Sequence, residues 1–242
     1  MELLEAIFIG LLQALVVSAA SLKRQMLFKV VTSSNMGTEQ LASAWTVHSL
    51  AACGTTCRSR YGSQCQTFMY NSITGRCTPG SFLKYGTLGA ALAPSSTDGN
   101  LYAPSSCDTS GGFRLVTSGT LSACIMVSDV AMYYLEALEF CLSVGAHLFV
   151  GRTMQKINML PHGIRLYIGL TDLASEGTFI WQDTGDAITP ALKKQLFDSG
   201  QPDNNNNEDC VSITAGGTNA VGNDALCAER KFRVACERTF LR

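Results

Sequence analysis

Apolar and polar positions change their period several times along this chain, and the changes divide it. Residues 6–20, AIFIGLLQALVVSAA, are almost uninterrupted apolar and end on small residues before the polar SLKRQ. An apolar run closed by small residues is the pattern of a secretory leader, so residues 1–20 are expected to be a signal peptide cut after Ala19 or Ala20. Glu2 and Glu5 precede the run and the nearest positive charges follow it, which keeps a signal anchor as the alternative. The run is shorter than the roughly 20 apolar residues that span a bilayer.

Further on, QMLFKVVTS reads as a strand, and TVHSLAACGTTCRSR as a short helix with Cys53 and Cys57 one turn apart on one face. CQTFMYNSITGRC alternates as strand, turn at Asn71 to Gly75, and strand. The periodicity then lapses in a stretch rich in Gly, Pro, Ala and Ser and poor in charge, which reads as a linker over residues 86–106. Beyond it, SDVAMYYLEALEFCLSVG has helical spacing of apolar residues up to Gly145, a C-cap residue. AHLFV follows as a strand, GRTMQKINMLPHG as a shorter helix stopped by Pro161, and LYIGL as a buried strand. TFIWQD, DCVSI and KFRVACE then alternate as strands in a loop-rich region. Helices first and short antiparallel strands afterwards make the fold class α+β.

Charge narrows the choice of partner. Eighteen basic residues against nineteen acidic leave a net charge of −1, which gives no electrostatic drive toward nucleic acid or an anionic membrane. All ten cysteines lie beyond the leader, and an even count in an exported chain implies five disulfides. Zinc at Cys53 and Cys57 competes with that reading but lacks histidines at ligand spacing. A helix with two cysteines above a hairpin with one per strand can be stapled twice, as Cys53–Cys77 and Cys57–Cys65. The chain has no Asn-x-Ser/Thr site for N-glycosylation. His48, His147 and His162 stand in unrelated contexts, and neither a Gly-x-Ser-x-Gly, a phosphate loop nor a His-Glu-x-x-His occurs, so the chain is not expected to be an enzyme.

Residues 25–85, through their cysteine spacing and the segment FMYN, resemble the PAN/apple family. The resemblance implies a helix clamped by two disulfides on a curled sheet, a module that binds proteins or sugars. From Cys107 to residue 242 the pieces EALEFCLSVGAHL, YIGLTDLASEGTFIWQDTG, GQPDNNNNEDCVSI, GNDALC and FRVACE stand in the order and at the spacing of a C-type lectin-like domain. That resemblance implies two helices, antiparallel sheets and a long calcium-binding loop region. It also implies disulfides Cys141–Cys236 and Cys210–Cys227, with Cys107–Cys124 as the extra pair of the long form.

Calcium takes six to eight oxygens at about 2.3–2.6 Å from carboxylates, amides, backbone or water. Gln201, Asp203, Glu208, Asn223 and Asp224 are the primary ligands that the resemblance implies. A cis Gln201–Pro202 bond would turn the oxygens of Gln201 and Asp203 to the same side of the loop. An ion so held keeps places for two neighbouring sugar hydroxyls, to which Gln201 and Asn223 donate N–H and from which Asp203 and Glu208 accept. The Gln-Pro-Asp order is the family's galactose-type order. Asn204 to Asn207 stand where such members carry a Trp that stacks on the sugar, and Gly222 replaces the Trp before Asn-Asp, so a monosaccharide affinity in the millimolar range, about −4 kcal/mol, is expected. Asp172, Glu176, Asn204, Glu208 and Asp209 match an auxiliary calcium site. The expectation is therefore a secreted, calcium-dependent lectin of galactose-type preference in glycan recognition, innate defence or adhesion, whose first domain can engage an extracellular protein. The alternative is a calcium-stabilised extracellular protein-interaction module without useful sugar affinity.

Overall fold

The computed structural model describes residues 28–31, 36–85, 94–215 and 221–241. The leader expected over 1–20 lies outside these residues, as do 25–27 and 86–93. Two antiparallel-rich sheets divide the chain between them.

The first sheet has the order β1-β6-β4-β5-β2, with β3 paired to β5. Its strands are β1 (Phe28–Val30), β2 (Met36–Gln40), β3 (Trp45–Thr46), β4 (Thr67–Tyr70), β5 (Arg76–Tyr85) and β6 (Asn100–Pro104). Helix α1 (Leu50–Tyr61) crosses it. Ser49 caps its N-terminus by accepting from Ala52 N at 3.1 Å, and Gly62 at φ 53° ends it. Cys53 and Cys57 face the sheet and are fully buried, paired with Cys77 and Cys65. Gly54 lies between them, and a Cβ there would stand 3.2 Å from the Phe68 ring, so the helix approaches the sheet at its glycine.

Strand β6 corrects the expected linker over 86–106. Composition there suggests flexibility, but Leu101 and Ala103 alternate on one face, are fully buried, and place β6 between β1 and β4. The preceding turn is tied down as well. Asn71 Nδ2 donates to Ser96 O at 2.9 Å and Thr97 O at 3.1 Å, and Arg76 pairs with Asp98 at 3.0 Å.

The second sheet has the order β13-β12-β10-β14-β8-β7, with β11 on β10 and β9 on β14. Its strands are β7 (Arg114–Ser118), β8 (Leu121–Val127), β9 (His147–Leu148), β10 (Arg165–Thr171), β11 (Ile180–Trp181), β12 (Cys210–Thr214), β13 (Val221–Ala225) and β14 (Arg233–Arg238). The expectation of antiparallel sheets is corrected at its centre, where β10 and β14 run parallel. Such a pair cannot be joined by a tight turn, and the whole loop region between residues 172 and 232 is its crossover.

Helix α2 (Tyr134–Ser143) buries Tyr134, Ala137 and Cys141 against this sheet, and Glu136 accepts from Tyr133 N at 3.0 Å at its start. The helix expected to run to Pro161 is only α3 (Met154–Ile157), capped by Thr153. Its chain then turns tightly, Leu160 N donating to Ile157 O at 3.1 Å, to bury both apolar side chains. The expectation of two helices is also corrected, because α4 (Pro190–Leu196) is a third. Thr189 accepts from Leu192 N at 3.3 Å, Pro190 opens the first turn, and Leu192 and Leu196 bury one face. Trp181 and His147 are core residues here: Trp181 is 2% exposed, and His147 Nδ1 lies 2.7 Å from Leu148 O. Disulfides close Cys107–Cys124, Cys141–Cys236 and Cys210–Cys227.

The two units touch closely. Asp108 pairs with Arg58 of α1 at 2.7 Å and lies 3.6 Å from Arg238 of β14, which is 2% exposed. Gly145 sits on the turn after α1, where a Cβ would fall 1.7 Å from Ser63 O. Leu241 N donates to Pro104 O at 2.7 Å, and its side chain joins the cluster of Val31, Met69, Leu101 and Ala103.

Candidate functional site

Strands β12 and β13 pair with Val211 opposite Asp224 and Ser212 opposite Asn223, which sets Asn223 and Asp224 beside the loop before Cys210. The Cys210–Cys227 disulfide ties the two arms at one end. Asp224 is fully buried, and its carboxylate accepts from Asp203 N at 3.3 Å and Asn204 N at 2.8 Å. That carboxylate thus shapes the loop as well as facing it. Glu208 N donates to Asn204 Oδ1 at 2.8 Å and folds the far end back.

The asparagines have a conformational reason to be there. Asn204, Asn206 and Asn207 have φ of 48°, 59° and 69°, in the left-handed region where asparagine is the most tolerated residue after glycine. They let the loop coil tightly enough to return Glu208 to Asp203. The Gln201–Pro202 peptide bond is cis.

As a result the carboxylates of Asp203, Glu208 and Asp224 lie within 4.8 Å of one another, and they are the one such acidic group among the described residues. Burial, then the facing Asp224 and Asp203 charges, hold Glu208 above the ordinary carboxylate range. Gln201 Oε1, two residues before Asp203 in the chain, is buried without a hydrogen-bond partner, and Asn223 Nδ2 is turned toward Asp224 O. Three converging carboxylates and an unpartnered amide oxygen fit a hard divalent cation, which accepts only oxygen.

The auxiliary set is less gathered. Asp172 is buried, and Gly177 N donates to its Oδ2 at 2.9 Å while Oδ1 has no partner. Burial first, then Glu176 and Asp209, raise its pKa, so their charges reach it. Glu176 is exposed, and Asp209 accepts from Asn207 Nδ2 at 2.8 Å. Asp172, Glu176 and Asp209 do not converge as the first group does.

A separate cavity of about 650 Å³ is lined by Arg152, Lys156, Asp183 and Glu237 among others and includes no residue of this clamp. Its charges pair internally, Arg152 with Asp183 at 3.0 Å and Lys156 with Glu237 at 2.7 Å.

The fold and this rim agree with the family comparison: residues 130–238 match the Lectin C-type domain family. This part of the chain is similar to a C-type lectin domain. The CD209 antigens of Homo sapiens and of Pongo pygmaeus are each 30% identical to it over 121 residues, 48% of this chain. The chain spans only 28% of the length of these relatives. Among solved structures it is similar to the carbohydrate-recognition domain of the mouse scavenger receptor C-type lectin, with 25% identity, a TM-score of 0.45, and coverage of 55% of this chain and 98% of that one. Five disulfides complete the domain and its neighbour. Among the described residues no helix is long and apolar enough to cross a membrane.

Proposed function

We propose that residues 107–242 bind calcium and, through it, galactose-type glycans, in a protein exported by the leader at 1–20. The observation that carries this reading is the convergence of Asp203, Glu208 and Asp224, and the buried, unpartnered oxygen of Gln201 two residues before Asp203 adds to it. Calcium in that clamp would supply coordination places for two adjacent sugar hydroxyls. Gln201, Asp203, Glu208, Asn223 and Asp224 would hold it. Gln201 and Asn223 then donate N–H to sugar oxygens, and Asp203 and Glu208 accept sugar O–H, the galactose-type arrangement. Asp172, Glu176, Asn204, Glu208 and Asp209 are proposed as a weaker auxiliary calcium site, supported by the unpartnered Asp172 oxygen. The unit at 25–85, extended by β6, is proposed to be a PAN/apple-like module that engages an extracellular protein.

The full chain should stay on galactose-agarose in millimolar calcium and leave it with a chelator. Flow-through in the presence of calcium would refute the sugar reading. The absence of an aromatic side chain from Asn204 to Asn207 favours one second reading, a calcium-stabilised protein-interaction module. Calcium-dependent thermal stabilisation without sugar retention would select it.

A further inference from the structure

The cavity of about 650 Å³ lies between the start of β8, the turn at Thr153 into α3, the turn from Asp183 to Asp186, and the end of β14. Its polar walls are held in place by their own contacts. Arg152 grips both oxygens of the buried Asp183, Nη2 to Oδ1 at 3.0 Å and Nη1 to Oδ2 at 3.3 Å, and donates to Thr184 Oγ1 at 2.5 Å. Thr184 Oγ1 donates in turn to Asp186 Oδ2 at 2.7 Å. Lys156 Nζ bridges the two oxygens of the buried Glu237 at 2.7 and 2.9 Å. Leu241, also on the wall, is fixed from outside the cavity by its N–H to Pro104 O at 2.7 Å.

These contacts leave hydrogen-bonding capacity of both kinds. Arg152 Nε has no partner among the described residues, and Lys156 brings three N–H groups to one carboxylate. On the acceptor side, each Asp183 oxygen takes one donor and keeps a lone pair, and Asp186 Oδ1 takes none among the described residues. Arg152, Lys156 and Arg238 balance Asp183, Asp186 and Glu237 around the cavity, so its walls carry no net charge.

That balance selects the ligand. A charged ligand has to compete with pairs already closed at 2.7 and 3.0 Å, and it strands the residue it displaces. A purely apolar ligand covers the spare donors and acceptors and gives them nothing in exchange for water. A hydroxyl donates and accepts, so a neutral polyhydroxyl compound meets both kinds at once through charge-assisted bonds. Leu121, Val150 and Phe240 add apolar wall for the C–H face of a sugar ring, and the volume falls within the range of about 300–1,000 Å³ of small-ligand sites.

We propose that this cavity is a second carbohydrate site, independent of calcium, that takes a neutral oligosaccharide. It stands apart from the clamp reading, since no clamp residue lines it.

The test titrates the full chain in chelator with maltotriose, cellotriose and chitotriose, and with acetyl-trialanine amide as a neutral peptide, while methyl NMR signals are followed. At least one trisaccharide should shift the Leu121, Val150 and Thr153 methyl signals saturably and leave those of Val211 and Ile213 on β12 in place. Lys156→Gln combined with Glu237→Gln removes both members of the pair and should weaken that binding about tenfold, the gap between charged and neutral hydrogen bonds. Asp186→Asn, at an exposed position, should weaken it about two- to threefold. Circular dichroism and Tm establish that both variants are folded, and galactose-agarose retention in calcium reads the clamp separately, so either site can fail alone. Unmoved cavity methyl signals with all three trisaccharides would overturn the proposal. So would shifts with the peptide only, or an affinity that the folded double variant leaves unchanged.

Discussion

Asp203→Ala is the sharpest perturbation of the clamp, because it removes a proposed calcium ligand with little cost to the metal-free fold. The Asp203 side chain is exposed, and its carboxylate accepts a long contact from Asn205 N at 3.4 Å and faces Glu208 across the clamp. Asp224 is the contrasting choice: fully buried and holding two loop amides, it would bring down loop and metal together. An extracellular calcium module has a Kd of about 0.1–1 mM. At about 5 mM calcium the ligand therefore stabilises the folded state by RT ln(1 + [L]/Kd), about 1–2.3 kcal/mol. For a domain of this size each kcal/mol shifts Tm by roughly 3–5 °C, so calcium should raise Tm by about 3–12 °C. Losing one of three carboxylates weakens calcium at least tenfold, on the scale of a charged hydrogen bond, to a Kd of about 1–10 mM or weaker, which should leave about half of the wild-type rise or less, about 1–5 °C. Differential scanning fluorimetry of wild type and variant, with calcium and with chelator, measures it. A variant that matches wild type in chelator and keeps the full calcium-dependent rise would falsify the clamp.

Exchanging Gln201 for Glu and Asp203 for Asn should move preference from galactose toward mannose if the positions of donors and acceptors set selectivity; competition on galactose-agarose with both sugars reads it. Glu208 titrates above its unfolded value, so without metal its folded form keeps a proton that the unfolded chain has lost. Stability due to Glu208 therefore falls as pH rises from the ordinary carboxylate range through the raised value. In chelator, the Tm difference between wild type and Glu208→Gln should become more negative across that window, and a flat difference would contradict the shift. Gly145→Ala should cost about 2 kcal/mol or more, since φ is 68° and the new Cβ would meet Ser63 O at 1.7 Å. Thermal unfolding of the variant tests it, and an unchanged Tm would deny the close seating of the two units.

Legibility in the sequence follows how local each signal is. The strand holding Leu166 to Leu170 and the helix holding Tyr134, Ala137 and Cys141 carry strong periodicity, and that periodicity alone makes both readable. Helix α4 is short, and its markers, Thr189 before Pro190 and Leu192 four residues before Leu196, are visible only when caps are sought inside a loop region. Strand β6 hides because Leu101 and Ala103 are a two-residue alternation in a stretch whose Gly, Pro and Ser suggest a linker. Its burial is decided by β1 and β4, which lie far away in the chain. At the candidate site the residue types are readable, but the convergence of Asp203, Glu208 and Asp224 depends on left-handed asparagines and on the β12–β13 register. No composition rule reports either.

The contacts at Asp108, Gly145 and Leu241 bear on how the protein should be handled. A fragment cut at Cys107 would keep Asp108 but lose Arg58, and it would strip Leu241 of the apolar cluster that covers it. Such a fragment would carry an uncovered leucine and one ion-pair partner fewer beside the buried Arg238. The unit to express, label or graft is the joined pair of modules, and a domain boundary drawn by family resemblance would pass through its seam.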